Sequence, residues 1–178
     1  VTDLFNGCTS VDMVEIDEDV TPPVVVNAAP ELLTCAVPLI TLDAIGSDAG
    51  PEMNIQWSTN DGNIVSGANT LQPEVDEPGV YTLLIFNEDN GCSSDLDVPV
   101  DQDIVAPTVD AGDGFTLPCF EEIYYLEGTV SAATQNLSIE WSTFDGELVS
   151  GANSLEPGVS SGGSYLLSIT NLDNGCAA

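Results

Sequence analysis

The stretch Trp57-Ser58-Thr59-Asn60-Asp61-Gly62-Asn63-Ile64-Val65-Ser66-Gly67-Ala68-Asn69 returns as Trp141-Ser142-Thr143-Phe144-Asp145-Gly146-Glu147-Leu148-Val149-Ser150-Gly151-Ala152-Asn153. The offset between the two copies is 84. Applying it aligns 21–92 with 105–176 without a gap. The cysteines obey it independently: Cys8, Cys92 and Cys176 are 84 apart, as are Cys35 and Cys119. Asn6-Gly7-Cys8 likewise matches Asn90-Gly91-Cys92 and Asn174-Gly175-Cys176. A fixed period of this size is the signature of a tandem array. Residues 1–20 then read as the last strand of a preceding repeat plus a linker. Residues 21–104 form a complete repeat, and 105–178 a second repeat lacking its last strand. The chain reads as a window on a longer array, and no signal-peptide pattern is expected of such an internal stretch.

Within the repeat the apolar residues alternate. Met53, Ile55 and Trp57 share one face, and Tyr81, Leu83 and Ile85 share another. Further strands are expected at 24–26, at 32–35, at 39–44 with Ile40 and Leu42 inward, and at 63–66. Others are expected at 71–75, placed at a sheet edge by Pro73, and at 96–100. Residues 9–16, with Val14 and Ile16 on one face, are expected to be the last strand of the preceding repeat, and donation of this strand to another copy is the less favoured alternative. Asn60-Asp61-Gly62 and Asn90-Gly91 are turn signals. Seven or eight short strands in each period, with no sustained helical pattern, predict an antiparallel β-sandwich.

Composition bounds the function. Thirty Asp and Glu stand against no Lys, Arg or His, for a net charge of −30. No histidine can serve as base or metal ligand, and no cation can grip phosphate, so nucleic acid is not a partner. Nucleophilic catalysis through Ser-His or Cys-His is impossible, and the chain is not expected to be an enzyme. No apolar run is long enough to span a membrane. Such a charge self-repels at low salt and is tolerated where salt shortens the Debye length, about 3 Å at 1 M. The 43% of hydrophobic residues suffices for a core. Cysteines at fixed spacing, without close pairs, point to disulfides and an oxidising compartment.

Trp57 and Trp141 sit in phase with apolar neighbours and read as core. Tyr81 and Tyr165 read as core or corner tyrosines. Acidic clusters recur at the linkers, and Asp17, Asp19, Asp101 and Asp103 are candidate Ca²⁺ ligands at inter-repeat junctions, since Ca²⁺ takes six to eight oxygens. Two regions differ between the repeats. One introduces Phe120, Tyr124 and Tyr125, a candidate contact patch for a ligand or a neighbouring chain.

A Trp on the third strand, Gly79-Val80-Tyr81-Thr82-Leu83 and Gly163-Ser164-Tyr165-Leu166-Leu167 on the penultimate strand, and Asn-Gly-Cys at the next turn resemble immunoglobulin-like and PKD-like repeats. More narrowly they resemble repeats of giant surface proteins of gliding bacteria, adhesins and filaments exported by type IX secretion. The resemblance implies tandem immunoglobulin-like/PKD-like sandwiches on an extracellular bacterial surface, forming a secreted stalk or filament. Further repeats of the chain, and copies of itself in a multi-chain filament, would be its partners. The alternative it leaves is an adhesin repeat that binds a surface, glycan or partner cell. Two pairings respect the period: Cys35–Cys92 with Cys119–Cys176, leaving Cys8 to a preceding repeat, or Cys8–Cys35 with Cys92–Cys119. The resemblance favours the first, because related repeats carry that pair within one module. It requires the 31–35 segment to lie back near the 87–92 turn.

Composition alone supplies a first expectation. Trypsin should leave the fully denatured chain uncut on a gel, while a protease that cleaves after acidic residues should fragment it; tryptic fragments would contradict the composition.

Overall fold

The computed structural model describes residues 1–2, 4–118 and 122–178. Among the described residues there is no helix, and the strands gather round two hydrophobic cores.

The first core lies between two sheets. One sheet has β3 (Met53–Thr59), β6 (Gly79–Asn87) and β7 (Ser93–Val100), in the order β3-β6-β7 and antiparallel throughout. The other has β2 (Ile40–Thr41), β4 (Ile64–Ser66) and β5 (Glu74–Val75), in the order β2-β5-β4. Residues 24–28 run beside the segment that follows β2: Ala28 N–H donates to Asp43 O (2.8 Å) and Asp48 N–H to Val24 O (2.9 Å). With this extended segment flanking β2-β5-β4, and β3-β6-β7 facing it, the order is that of the immunoglobulin constant-type arrangement. The alternation seen in the sequence becomes the core: Ile40, Leu42, Ala44 and Val75 from one sheet meet Trp57, Tyr81, Leu83, Ile85, Val98 and Val100 from the other.

Two signatures fix the layers. Trp57 is buried and donates its indole N–H to Thr70 O at 3.0 Å. Tyr81 is fully buried, and its hydroxyl donates to Glu77 O four residues upstream at 2.6 Å while accepting from Asn63 N–H at 3.0 Å. That is a tyrosine corner. It explains Gly62, where a Cβ would collide with the Tyr81 hydroxyl. Asp61 closes the same turn by accepting from Val80 N–H at 2.9 Å.

The second core repeats these contacts on a smaller scale. β12 (Leu137–Thr143) pairs antiparallel with β15 (Tyr165–Asn171). β14 (Gly158–Val159) lies between β10 (Tyr124–Tyr125) and β13 (Leu148–Ser150). β9 (Thr108–Asp110) pairs with β11 (Thr129–Ser131). Trp141 donates to Ser154 O at 3.0 Å and Tyr165 to Ser161 O at 2.7 Å. Tyr165 is only half-buried, whereas β7 runs alongside Tyr81, pairing it with Val98.

Three strand expectations need correction. Residues 71–75 are not an edge: β5 lies between β2 and β4, and buried Pro73 sits just before it, where no ladder N–H is needed, while its carbonyl accepts from Leu42 N–H (3.0 Å). Residues 24–26 are not a regular strand, although the equivalent β9 is one. The difference is Gly46, whose φ of +103° breaks the partner segment where the second module has Val130. Residues 9–16 form no strand. Val14 and Ile16 are 81% and 86% exposed, whereas Val98 and Val100, their counterparts one period on, are each 3% exposed.

Burial pushes the Tyr81 phenol above its ordinary value, with Asp76, Glu77 and Asp61 adding to the effect and the Asn63 hydrogen bond opposing it. An unfolded tyrosine ionises near pH 10, so the folded state should lose stability as pH rises above about 10. Tyr81→Phe should cost about 1–2 kcal/mol at neutral pH and weaken that alkaline slope. Trp57→Ala should cost about 3–5 kcal/mol. Urea titrations at several pH values measure all three; an unchanged alkaline slope in Tyr81→Phe would remove Tyr81 as its source.

Candidate functional site: the intermodule junction

The most specific chemistry on the molecule lies where the two modules meet. β1 (Leu33–Thr34) pairs in parallel with β8 (Gln102–Asp103). The crossover from residues 24–28 to β2 is thereby held against the chain leaving β7. Leu33 anchors it in the first core, and Leu33 N–H donates to Asp101 O at 3.1 Å. The next residues, Cys35 and Ala36, face the second module.

They meet the 171–176 turn. Cys35 and Cys176 form a disulfide across a Cα–Cα distance of 5.1 Å and a sequence separation of 141. Ala36 N–H donates to Asn174 O at 3.0 Å. The Asn174 amide turns the other way, donating to Asp103 Oδ1 and to Val105 O, each at 3.0 Å. Its own Oδ1 accepts from Cys176 N–H at 2.9 Å. Asn174 is 1% exposed with every polar group of its side chain engaged, as a buried amide must be. Gly175, at φ +74°, packs so closely that a Cβ would sit 2.6 Å from that of Ala36. A side chain there would push the modules apart.

The sequence-derived pairing is therefore corrected: Cys35 is bonded to Cys176, so neither Cys35–Cys92 nor Cys119–Cys176 forms, and Cys8 and Cys92 are free thiols in this structure. Cys119 lies outside the described residues. The reason is strand direction. Cys92 precedes β7 and Cys35 sits beyond its far end, against β8. Eight residues of strand separate those ends by roughly 25 Å, and a disulfide needs Cα atoms within about 7 Å. The crossover of one module reaches only the turn of the next.

The other candidates disperse. Asp103 is a hydrogen-bond acceptor for Asn174 and for Val105 N–H (3.2 Å). Asp19 has the equivalent role at the earlier junction, accepting from Thr21 N–H at 3.1 Å beside Asn90. Asp17 and Asp101 are exposed, and among the described residues no three His, Cys, Asp or Glu side chains converge to hold a metal. Phe120 lies outside the described residues. Tyr124 packs into the second core with its ring 3.9 Å from that of Phe115, while Tyr125 is 56% exposed. Successive strand residues face opposite ways, so the two tyrosines do not share a surface. Sequence reasoning missed Asn174 and Ala36. The signal available was the thrice-repeated Asn-Gly-Cys, which marks an amide as well as a cysteine.

No protein-family model and no curated protein sequence matches the chain. Among solved structures, the I-band fragment I67–I69 from titin aligns over 90% of this chain and 64% of its own length, at 10% identity and a TM-score of 0.43. Three N-terminal domains of the bacteriophage RB49 highly immunogenic outer capsid protein (Hoc) align over 88% of this chain and 57% of theirs, at 15% identity and a TM-score of 0.42. The chain spans less than two thirds of each of these structures.

Closing a loop of about 140 residues should stabilise the folded pair by about 5 kcal/mol on the chain-entropy account. The double variant Cys35→Ser/Cys176→Ser should keep its β signal by circular dichroism, melt earlier, and show a broader distribution of sizes by small-angle scattering; an unchanged scattering profile would mean that the hydrogen bonds alone fix the junction. The earlier junction has a titration signature. The Thr21 backbone N–H, then the Asn90 side chain and the Thr21 side chain, hold the Asp19 carboxyl below its ordinary value. Its contribution is present above the ordinary carboxylate range and is lost as pH falls through the depressed value. Carbon-detected NMR should find that Asn90→Ala moves the Asp19 titration upward.

Proposed function

We propose that this chain is a structural segment of a secreted repeat protein, a stalk or filament on a bacterial surface in which stiffness is the function. The observation that carries the reading is the junction. A fully engaged buried asparagine and a disulfide join the two modules, seated on a parallel strand pair that fixes the first module's crossover against its outgoing chain, at the place where a flexible tether would have no such contacts. Interfaces within a chain otherwise allow relative domain motion by default. Each module is roughly 35–40 Å long, from strands of about eight residues at about 3.3 Å each plus turns, so a rigid junction converts repeat number directly into reach. The disulfide and the immunoglobulin-like fold support an extracellular location. The absence of Lys and Arg, which denies trypsin-like proteases a site, suits a long-lived exposed fibre.

The adhesin reading has one observation in its favour. Tyr125, 56% exposed, occurs only in the second repeat, where the first has Thr41.

Electron microscopy of native material tests the choice. Straight threads with an axial repeat of about 40 Å that become flexible after reduction are expected of a structural element. Threads equally bent before and after reduction would sink stiffness as the function. Retained thread form with loss of surface binding in Tyr125→Ala would favour the adhesin.

A further inference from the structure

The end of the first module opposite its disulfide carries a second junction in which one side is bare. Asn90 Nδ2 donates to Thr21 O at 3.0 Å, just as Asn174, its counterpart one period on, donates to Val105 O. Asn90 also lies against Asp19, as Asn174 lies against Asp103. Cys92 N–H donates to Asn90 Oδ1 at 2.9 Å, the distance found between Cys176 and Asn174. Gly91 and Gly175 share a φ of +74°. The incoming linker is thus already seated on this turn. What differs is the cover. Asn174 and Cys176 are each 1% exposed under Ala36 and Cys35, whereas Asn90 and Cys92 are only half-buried and Cys92 is a free thiol. A Cβ at Gly175 would strike Ala36, while one at Gly91 would meet nothing within 4 Å.

We infer that the Asn90–Gly91–Cys92 face docks the crossover segment of a module preceding it in the same polypeptide, and that Cys92 forms a disulfide to that module's counterpart of Cys35. This rests on the reading of the chain as a segment of a longer array. Two observations commit the occupant to the preceding module. Thr21, which belongs to the linker arriving from that side, is the residue bonded to Asn90. Upstream of it, Val14 and Ile16 expose the apolar face that their counterparts Val98 and Val100 bury in β7, as expected of a strand that completes another module's sheet. Forming the bond removes two protons and two electrons from two thiols. The acceptor is the disulfide of a thiol oxidoreductase, which leaves as a dithiol.

The consequence is mechanical. Every link of this type bypasses the same sequence separation of 141 as Cys35–Cys176 does. The cysteine that ends one link and the cysteine that begins another are as close in the chain as Cys8 and Cys35. Links then overlap along the chain, and tension is carried by disulfides joined through these short stretches. Each stretch can extend to about 95 Å, whereas the bypassed chain would reach about 480 Å if released.

The test uses native polypeptide isolated without reductant, with free thiols capped by N-ethylmaleimide, then cleaved at acidic and aromatic residues and sequenced by mass spectrometry. The expected result is Cys92 joined to the cysteine that precedes it, in the same polypeptide, by the separation that divides Cys35 from Cys176, alongside Cys35–Cys176 itself. Cys92 carrying the maleimide, Cys92 joined to Cys35, or a link between two chains seen as a larger species on a non-reducing gel would each overturn the inference. A reducing gel separates this from the array reading: a polypeptide no longer than two modules overturns both, whereas a long polypeptide with capped Cys92 overturns only the inference. Single-molecule stretching supplies the second readout, with extension steps of whole-module size appearing only after reductant is added; such steps in its absence would equally overturn the inference.

Discussion

The parallel pairing of Leu33 and Thr34 with Gln102 and Asp103 holds the first crossover of the module against the chain that leaves it, and the junction is built on that contact. Leu33 is buried in the first core, so the segment cannot lift away without exposing apolar surface. Just beyond it, Cys35 reaches the 171–176 turn of the second module and bonds Cys176. Fixing the crossover therefore fixes which disulfide forms and which turn is covered.

The junction also shows how a protein without cations satisfies its carboxylates. With no Lys, Arg or His, the available donors are backbone N–H groups, hydroxyls and amides. Asp61 takes the Val80 N–H, Asp103 takes the Asn174 amide, and Asp173 takes that of Asn136 at 2.7 Å. Bonds to a charged acceptor are stronger than neutral ones, and these need no counter-charge. They are also geometrically exacting. An asparagine between an aspartate and two backbone carbonyls or amides tolerates less motion than a surface ion pair, which suits a junction that must not bend.

Much of the module was legible because its signals are local. Alternation placed Met53, Ile55 and Trp57 on one face and buried Tyr81, Leu83 and Ile85. The Asp-Gly turns lie beside the corner tyrosines, where only a glycine fits under the hydroxyl. Errors arose where a neighbour overrides the local signal. Pro73 reads as an edge marker, yet it precedes rather than enters β5. Residues 24–26 read as a strand, yet Gly46 in the partner segment breaks the ladder. Tyr124 and Tyr125 read as one patch, yet strand geometry sends one into the core and the other outward.

The sequence by itself determined the period of 84, the all-β alternation, the core faces and the recurring cysteines, because each depends on residues near one another in the chain or on the offset alone. Only the tertiary structure decided which cysteines meet. Spacing permits several pairings that respect the period, and Cys35–Cys176 is one that spans two modules. The choice follows from the direction of strands in a sandwich, which sends the first crossover to one end of the module and the Asn-Gly-Cys turn to the other. No count along the chain contains that distance; it exists only once the sheets are stacked.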